Sequence, residues 1–232
     1  MPHESGSGKA LGRKIEPRPV TPGLTVRDLV DNYFAAYNAA RLREACMVFA
    51  QKIAMPDVTV GLTLTGALTP AGLGYSCVVP LMEAGLVDWI ISTGANLYHD
   101  LHFSLGYELF SASPGLDDLK LREDKIIRIY DILFDQDVLL KSDAFLRRAM
   151  SAPEFQHKMG TAEMHYHLGK YASAVEDQTP GGHRSILGTA HKYGVPVYTS
   201  SPGDSTLGMN VAAMRLAGGS LEMELPTPEK VQ

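Results

Sequence analysis

Cysteine and tryptophan are scarce in this chain of 232 residues: there are two of the first, Cys46 and Cys77, and one of the second, Trp89. Two thiols far apart in sequence exclude a disulfide-stapled secreted fold. Both sit among apolar residues with helical patterning and read as buried thiols, which predicts a reducing, cytoplasmic compartment. No apolar run approaches the roughly 18 or more residues of a membrane helix, so no membrane segment is expected. The opening MPHESGSGKALGRK has no apolar stretch of the kind a secretory leader needs. Excess positive charge is also missing. The 21 Lys and Arg against 26 Asp and Glu leave a net charge of −5, and a nucleic-acid partner would want the opposite sign.

What is present is ordinary globular composition, 45% hydrophobic and 20% charged, in a length that suits one large domain. Residues 1–23 are rich in Gly, Ser, Pro and basic side chains and read as a flexible N-terminal arm. Thr25 followed by Asp28 marks a helix start, and Val26, Leu29, Val30, Tyr33, Phe34 and Tyr37 repeat at helical spacing. A second helix is predicted from Arg41 to Met55, stopped by Pro56. Val58 to Leu64 alternates β-branched and apolar residues with no charge and reads as a buried strand. Helix-like sequence follows to Ala84, with Pro80 starting or kinking it and Gly85 as a C-terminal cap. Val87–Ser92 is the next strand, and Ile126–Leu133 a strand or a strand plus turn. Helices are predicted over Gln136–Met150, Thr161–Val175 and Arg184–Tyr193. A short strand at Val195–Thr199, a loop at Ser200–Gly203 and a helix from about Asp204 to Leu216 follow. Residues 218–232 read as a tail. Strand, loop and helix alternate at least three times. The pattern predicts an α/β protein: a Rossmann-like three-layer fold with a mainly parallel sheet and helices on both faces.

Three loops carry candidate chemistry. The first, Thr65-Gly66-Ala67-Leu68-Thr69-Pro70-Ala71-Gly72, follows the first strand. Ligands of open α/β sheets sit beyond the carboxyl ends of strands, where small residues let backbone N–H groups approach phosphates. A tight strand-to-helix turn that needs glycine for packing explains the same residues. The loop is not a G-x-G-x-x-G. The second loop, Ser92-Thr93-Gly94-Ala95-Asn96-Leu97-Tyr98-His99-Asp100, should lie beside the first, and two such loops together point to a nucleotide. The third, Ser200 to Gly208, holds Asp204, which can accept from ribose hydroxyls, cap the following helix, or do both. Gly6-Ser7-Gly8-Lys9 is not a phosphate-binding P-loop: the upstream glycine is missing, Ala10 stands where Ser or Thr belongs, and no strand precedes it. His99 and His102, with His165 and His167, invite a metal reading. No cysteine, close carboxylate pair or HExxH supports it, so no metal is expected, and His99 is the candidate proton carrier beside a ligand.

The segments LTGALTPAGLG, VDWIISTGANLYHDLHF, IRIYDILFD, GTAEMHYHLGKY and GVPVYTSSPGDSTLGMNVAAM fall in one order and together resemble the deoxyhypusine synthase family, most closely its deoxyhypusine-synthase-like branch, over about Leu24 to Ala217. The resemblance implies an NAD-dependent transferase that oxidises a polyamine such as spermidine. Its aminobutyl group passes through an imine on an enzyme lysine to an amine acceptor, typically a protein lysine, in a homotetramer. It assigns Thr65, Gly66, Ala67, Leu68 and Thr69, then Thr93, Gly94 and Ala95, then Asp204, to NAD. It also makes residues 24–217 an NAD-binding domain that is incomplete relative to the family. The substrate positions are Tyr98, His99, Asp100 and Met209. Typical members read Glu-Glu-Asp where this chain has Tyr98-His99-Asp100, and carry an acid at the position of Met209. Cationic amines need carboxylates to offset desolvation, so the two lost acids leave open a different amine substrate on the same scaffold. The family's catalytic lysine lies in a Trp-Gly-Lys segment, and Trp89 belongs to a strand, so His99 is the catalytic candidate in this sequence. A fragment, a truncated product, or a non-catalytic nucleotide-binding or oligomerisation module is the remaining expectation.

Overall fold

The computed structural model describes residues 12–180 and 183–224. The Gly6–Lys9 motif lies outside them, as do residues 1–11 of the expected arm and 225–232 of the expected tail. The chain divides into two compact units, one ending at Val58 and the other beginning at Thr59.

In the first unit, residues 12–20 have no regular secondary structure, and the Tyr33 hydroxyl donates to the Pro19 carbonyl at 2.9 Å. Helix α1 spans Val26–Tyr33, and Thr25 caps it by accepting the Asp28 N–H at 3.1 Å. This is the start that the Thr-x-x-Asp spacing predicts. Helix α2 runs Tyr37–Val48 and continues as a π-helical turn, Phe49–Ile53. It begins four residues before the predicted Arg41, because Tyr37 takes a positive φ of 52° and turns the chain directly from one helix into the next. No residue of α1 is buried, and Val26 is 78% exposed. The helical spacing of its apolar residues is real, but among the described residues of this unit only Ala40 is buried.

The second unit holds β1 (Gly61–Leu64), α3 (Val79–Glu83), β2 (Trp89–Ser92), α4 (Gly94–Ser104), β3 (Phe110–Ser111), α5 (Asp118–Glu123), β4 (Ile126–Ile129), β5 (Ile132–Asp135), α6 (Gln136–Met150), β6 (Lys158–Gly160), α7 (Thr161–Glu176), α8 (Ile186–Tyr193), β7 (Val197–Tyr198), α9 (Thr206–Leu216) and β8 (Glu222–Glu224). Strands β1, β2 and β7 form a parallel sheet in that order, with Gly61 opposite Trp89 and Ile90 opposite Val197. Three of the four predicted strands are therefore the three of this sheet, each shorter than the pattern suggested, and β1, expected to be buried, has only Leu64 inside. Gly61 has a steric reason: a Cβ there would lie 2.0 Å from the Trp89 ring. Beyond β7, side chains of α7 satisfy the strand. His165 Nδ1 donates to the Val197 carbonyl at 2.8 Å, and Thr161 Oγ1 accepts the Thr199 N–H at 3.2 Å.

Pro80 is the second residue of α3, directly after the π-helical turn Gly74–Val78, so it follows a local change of helix type within one helical run. Gly85 (φ 67°) ends that helix, with the Leu86 N–H returning to the Leu81 carbonyl at 2.9 Å. The Ile126–Leu133 segment is a hairpin outside the parallel sheet. β4 and β5 pair antiparallel across the two-residue connection Tyr130-Asp131, and β3 adds to β5. A connection that short permits no parallel crossover. The expected tail carries a strand, since β8 pairs parallel with β6 and Leu221 is buried. Cys46 and Cys77 are both exposed, which corrects the expectation of buried thiols; apolar neighbours in sequence do not say which side of a helical turn faces inward. No helix among the described residues is long and apolar enough to cross a membrane.

The core is one cluster. Ile90 and Val197 of the sheet pack with Leu97 and Leu101 of α4, Leu146 and Met150 of α6, Met164 and Leu168 of α7, Leu187 of α8 and Leu207 of α9. Because β1, β2 and β7 are parallel, the loops that follow them emerge at the same edge of the sheet.

Candidate functional site

The first two loops are bonded to each other through Asn96, which is fully buried. Its Oδ1 accepts the Leu68 N–H at 2.8 Å and lies 3.4 Å from the Thr69 nitrogen. Its Nδ2 donates to Thr93 Oγ1 at 3.1 Å, with the Thr65 carbonyl 3.4 Å away. Its carbonyl accepts the Thr69 hydroxyl at 2.7 Å. Thr93 caps α4 and donates its hydroxyl to the Gly66 carbonyl at 2.5 Å. Gly66 holds a φ of 61° with open space where a Cβ would stand, so the loop turns there at little cost only with glycine. Thr65, Gly66 and Ala67 are left exposed, Leu68 is half-buried, and Thr69 is fully buried.

The third loop meets the second at Gly94. A Cβ on Gly94 would lie 2.1 Å from Ser205 Oγ, so only glycine allows this approach. Ser205 caps α9 by accepting the Gly208 N–H at 3.4 Å. Capping was one of two roles open to Asp204, and the structure gives it to Ser205. Asp204 is exposed, ends the short 3₁₀ turn Pro202–Asp204, and accepts from the Ser201 hydroxyl. Ala95 is half-buried beside Gly94. The nine residues expected at a cofactor thus lie on three loops at one edge of the sheet, with the N-termini of α4 and α9 among them.

Of the four expected substrate residues, Tyr98, His99 and Asp100 take different hydrogen-bond partners, although the rings of Tyr98 and His99 also meet at 5.3 Å. Tyr98 is buried, and its hydroxyl donates to Asp143 Oδ1 of α6 at 3.0 Å. Burial and the neighbouring carboxylate push its ionisation far above the ordinary phenol range. Asp143 also accepts from Asn210 Nδ2 of α9 at 2.9 Å, and Arg147 Nε donates to Asn210 Oδ1 at 2.7 Å. Asp100 lies on another face of α4. It is buried, accepts the Ile186 N–H at the start of α8, and fits only because residue 74 is glycine, where a Cβ would lie 2.0 Å from its Oδ1. Burial pushes its carboxyl up to about 7; the nearby Glu176 adds to this and the Ile186 N–H opposes it. Met209 is 58% exposed on α9.

His99 is half-buried and pairs with His102, Nδ1 to Nε2, at 3.0 Å; His102 Nδ1 lies 2.8 Å from Ser142 Oγ on α6. Burial lowers His99 to about 4, and burial with the facing His99 lowers His102 to about 3, so both imidazoles are neutral at pH 7. Among the described residues no three His, Cys, Asp or Glu side chains come together. The i, i+2 spacing of His165 and His167 turns them to different faces of α7.

Asn96, Ser142 and Asp143 carried no role in the sequence reading. Asn96 had a local signal, a polar residue three after a Thr cap, whose buried position no pattern reveals. Ser142 and Asp143 lie about 40 residues beyond α4 and had none.

The deoxyhypusine synthase family model matches residues 28–226. A deoxyhypusine synthase-like protein of Cyanothece sp. is 58% identical over 214 residues, which are 92% of this chain and 54% of that protein. One from Nostoc sp. is 57% identical over 93% of this chain and 56% of its own length. The chain therefore spans about half the length of the curated relatives it matches. A solved chain from Entamoeba histolytica, assigned to the deoxyhypusine synthases, superposes with a TM-score of 0.62 at 12% identity, covering 88% of this chain and 68% of the other. This supports the α/β fold.

Proposed function

The chain belongs to the deoxyhypusine synthase family, and on that premise we propose that its three loops hold NAD for an aminoalkyl transfer. In that reaction an aminobutyl or related group moves from a polyamine such as spermidine to an amine acceptor, a protein lysine among them. The observation that carries the reading is the locked set of loops. Thr65, Gly66 and Ala67 are exposed, small and fixed from beneath by Asn96 and Thr93. Thr93, Gly94 and Ala95 open α4, and Asp204 stands exposed beside α9. The residues fit a dinucleotide. Unhindered backbone in the first loop suits a pyrophosphate, whose charge the start of α4 favours, and the carboxylate of Asp204 suits ribose hydroxyls. When bound, NAD accepts the hydride of amine oxidation and returns it. The chain's own part is to hold the cofactor, exclude water and orient the amine. The reading carries with it homo-oligomeric assembly, as a tetramer, and a cytoplasmic location.

One observation favours a second reading, the same oxidation step with another amine. Tyr98 is committed to Asp143, Asp100 is committed to the start of α8, and Met209 is a thioether. None of the three offers a free carboxylate to an ammonium group. A screen of amines for NADH formation, using protein of the relatives' full length, separates the two: turnover of spermidine alone removes the second reading.

Calorimetry with NAD tests the cofactor site. Saturable binding is expected, weakened at least tenfold by Ala67→Asp, which sets a negative charge on an exposed position of the first loop. No heat at millimolar NAD, or an unchanged affinity in the variant, refutes the assignment.

A further inference from the structure

The chain of hydrogen bonds Ser142–His102–His99 has a direction, and the direction decides what His99 offers. Ser142 and His102 are fully buried, and His99 is half-buried. The Nε2 atom of His99 has no partner among the described residues and is not sealed from solvent. A neutral imidazole carries one N–H and one lone pair, so two tautomeric arrangements fit the distances. In one, Ser142 donates to His102 Nδ1, His102 Nε2–H donates to His99 Nδ1, and His99 presents N–H outward. In the other every bond is reversed and His99 presents a bare lone pair.

The Ser142 hydroxyl discriminates between them. Elsewhere in this protein Ser76, Ser104, Ser151 and Thr179 donate back to a carbonyl three or four residues earlier in their own helical turn. Ser142 makes no such bond, and its hydroxyl meets only His102, at 2.8 Å. If Ser142 merely accepted, its own proton would be buried without a partner, at a cost of about 1–3 kcal/mol. Donation to His102 Nδ1 avoids that cost. Burial keeps both imidazoles neutral, so no second proton blurs the polarity. The rings are clamped as well: Tyr98 meets both edge-on at 5.3 and 5.0 Å, and Phe134 lies 6.2 and 5.7 Å away.

We propose that Ser142 and His102 are positioning residues that hold His99 with its proton on Nε2, so that its open edge is a hydrogen-bond donor for an oxygen acceptor of a ligand (a carbonyl, hydroxyl or phosphate) and not a seat for an ammonium. This rests on the cofactor reading only for the presence of a ligand near α4; the tautomer is a property of the free protein. It also changes the part His99 takes. A residue expected to carry protons becomes a fixed donor, and specificity at this position is turned away from the charged end of an amine.

Long-range proton–nitrogen NMR on the ¹⁵N-labelled chain at pH 7 reads both tautomers directly. His99 and His102 are expected as Nε2–H, and the bare Nδ1 of His102 should show the shift of a lone pair that accepts a hydrogen bond. Ser142→Ala should move that Nδ1 resonance towards the free value, and Ser142→Thr should restore it. Added putrescine should leave the His99 Nε2 resonance in place. An Nδ1–H form of either ring in the unaltered protein overturns the proposal, and needs no variant to fold. So does a His102 Nδ1 shift indifferent to Ser142→Ala, or a putrescine-dependent shift at His99. Failure of NAD to bind would count against the cofactor reading and leave the tautomer result standing.

Discussion

Replacing Asn96 by Ala removes the buried side chain that, with Thr93, joins the first two loops from below. The bond from the Leu68 N–H to Oδ1, at 2.8 Å, is well formed, and its loss leaves a half-buried amide without an acceptor, at about 1–3 kcal/mol. The bond from Nδ2 to Thr93 Oγ1, at 3.1 Å, is worth about 1 kcal/mol. The two contacts at 3.4 Å, to the Thr69 nitrogen and the Thr65 carbonyl, are too long to add much. Thr93 keeps its bond to Gly66, and the Asn96 carbonyl keeps the Thr69 hydroxyl, so the loops stay but loosen. The expected loss is about 2–4 kcal/mol. Urea unfolding should show it as a lower midpoint at unchanged slope. Native-state hydrogen exchange should show it locally, with the Leu68 amide faster relative to core amides such as Ile90. A loss below about 0.5 kcal/mol, the level of ordinary surface substitutions, or an unchanged Leu68 amide, would refute the view that Asn96 fixes the loops. NAD affinity should fall in the same variant, because a loosened loop pays an ordering cost on binding.

Asp100→Asn keeps an acceptor for the Ile186 N–H and removes a buried charge. Its folded-state pKa of about 7 lies above the ordinary carboxylate value, so its contribution to stability is full in acid and lost as pH rises through about 7. The variant should flatten that loss and be the more stable protein at pH 8, by at most about 4 kcal/mol; equal or lower stability at pH 8 contradicts this. His99, His102 and His165 are depressed to about 4, 3 and 4. Their contribution is present above the ordinary imidazole value and lost as pH falls through those values, so melting temperature should drop between pH 6 and 4, and His102→Gln should reduce the drop. Gly94→Ala drives a methyl into Ser205 and should destabilise by about 1–3 kcal/mol. Adding Ser205→Gly should recover part of that loss in a double-mutant cycle, and strictly additive effects would mean that the second and third loops are not in contact.

The positions of β1, β2 and β7 were legible because strands of a parallel sheet are short charge-free runs, and each led into a loop of small residues; that β1 is largely exposed was not legible. Thr25, Pro80 and Gly85 were legible for a related reason: caps and breakers act through their own backbone. The hairpin at Ile126–Asp135 was not assigned to a separate sheet, since its apolar content is that of any strand and its antiparallel pairing follows from a two-residue connection. Cys46 and Cys77 were misplaced because local apolarity does not specify which face of a helix is covered.

At the site, the sequence by itself determined which loops are built of small and hydroxylated residues and, through five ordered segments, which family the chain resembles. It could not show that Asn96 lies beneath two of those loops, that Ser205 and not Asp204 caps α9, or that Tyr98, Asp100 and His99 serve three different neighbours. Those facts belong to tertiary structure. Residues adjacent on α4 point to different faces: Tyr98 meets α6, Asp100 meets the start of α8, and His99 meets His102 of its own helix, which Ser142 of α6 holds in turn. The polarity of the His99 chain is decided furthest from the sequence signal, by a serine on another helix whose hydroxyl has one partner to give its proton to.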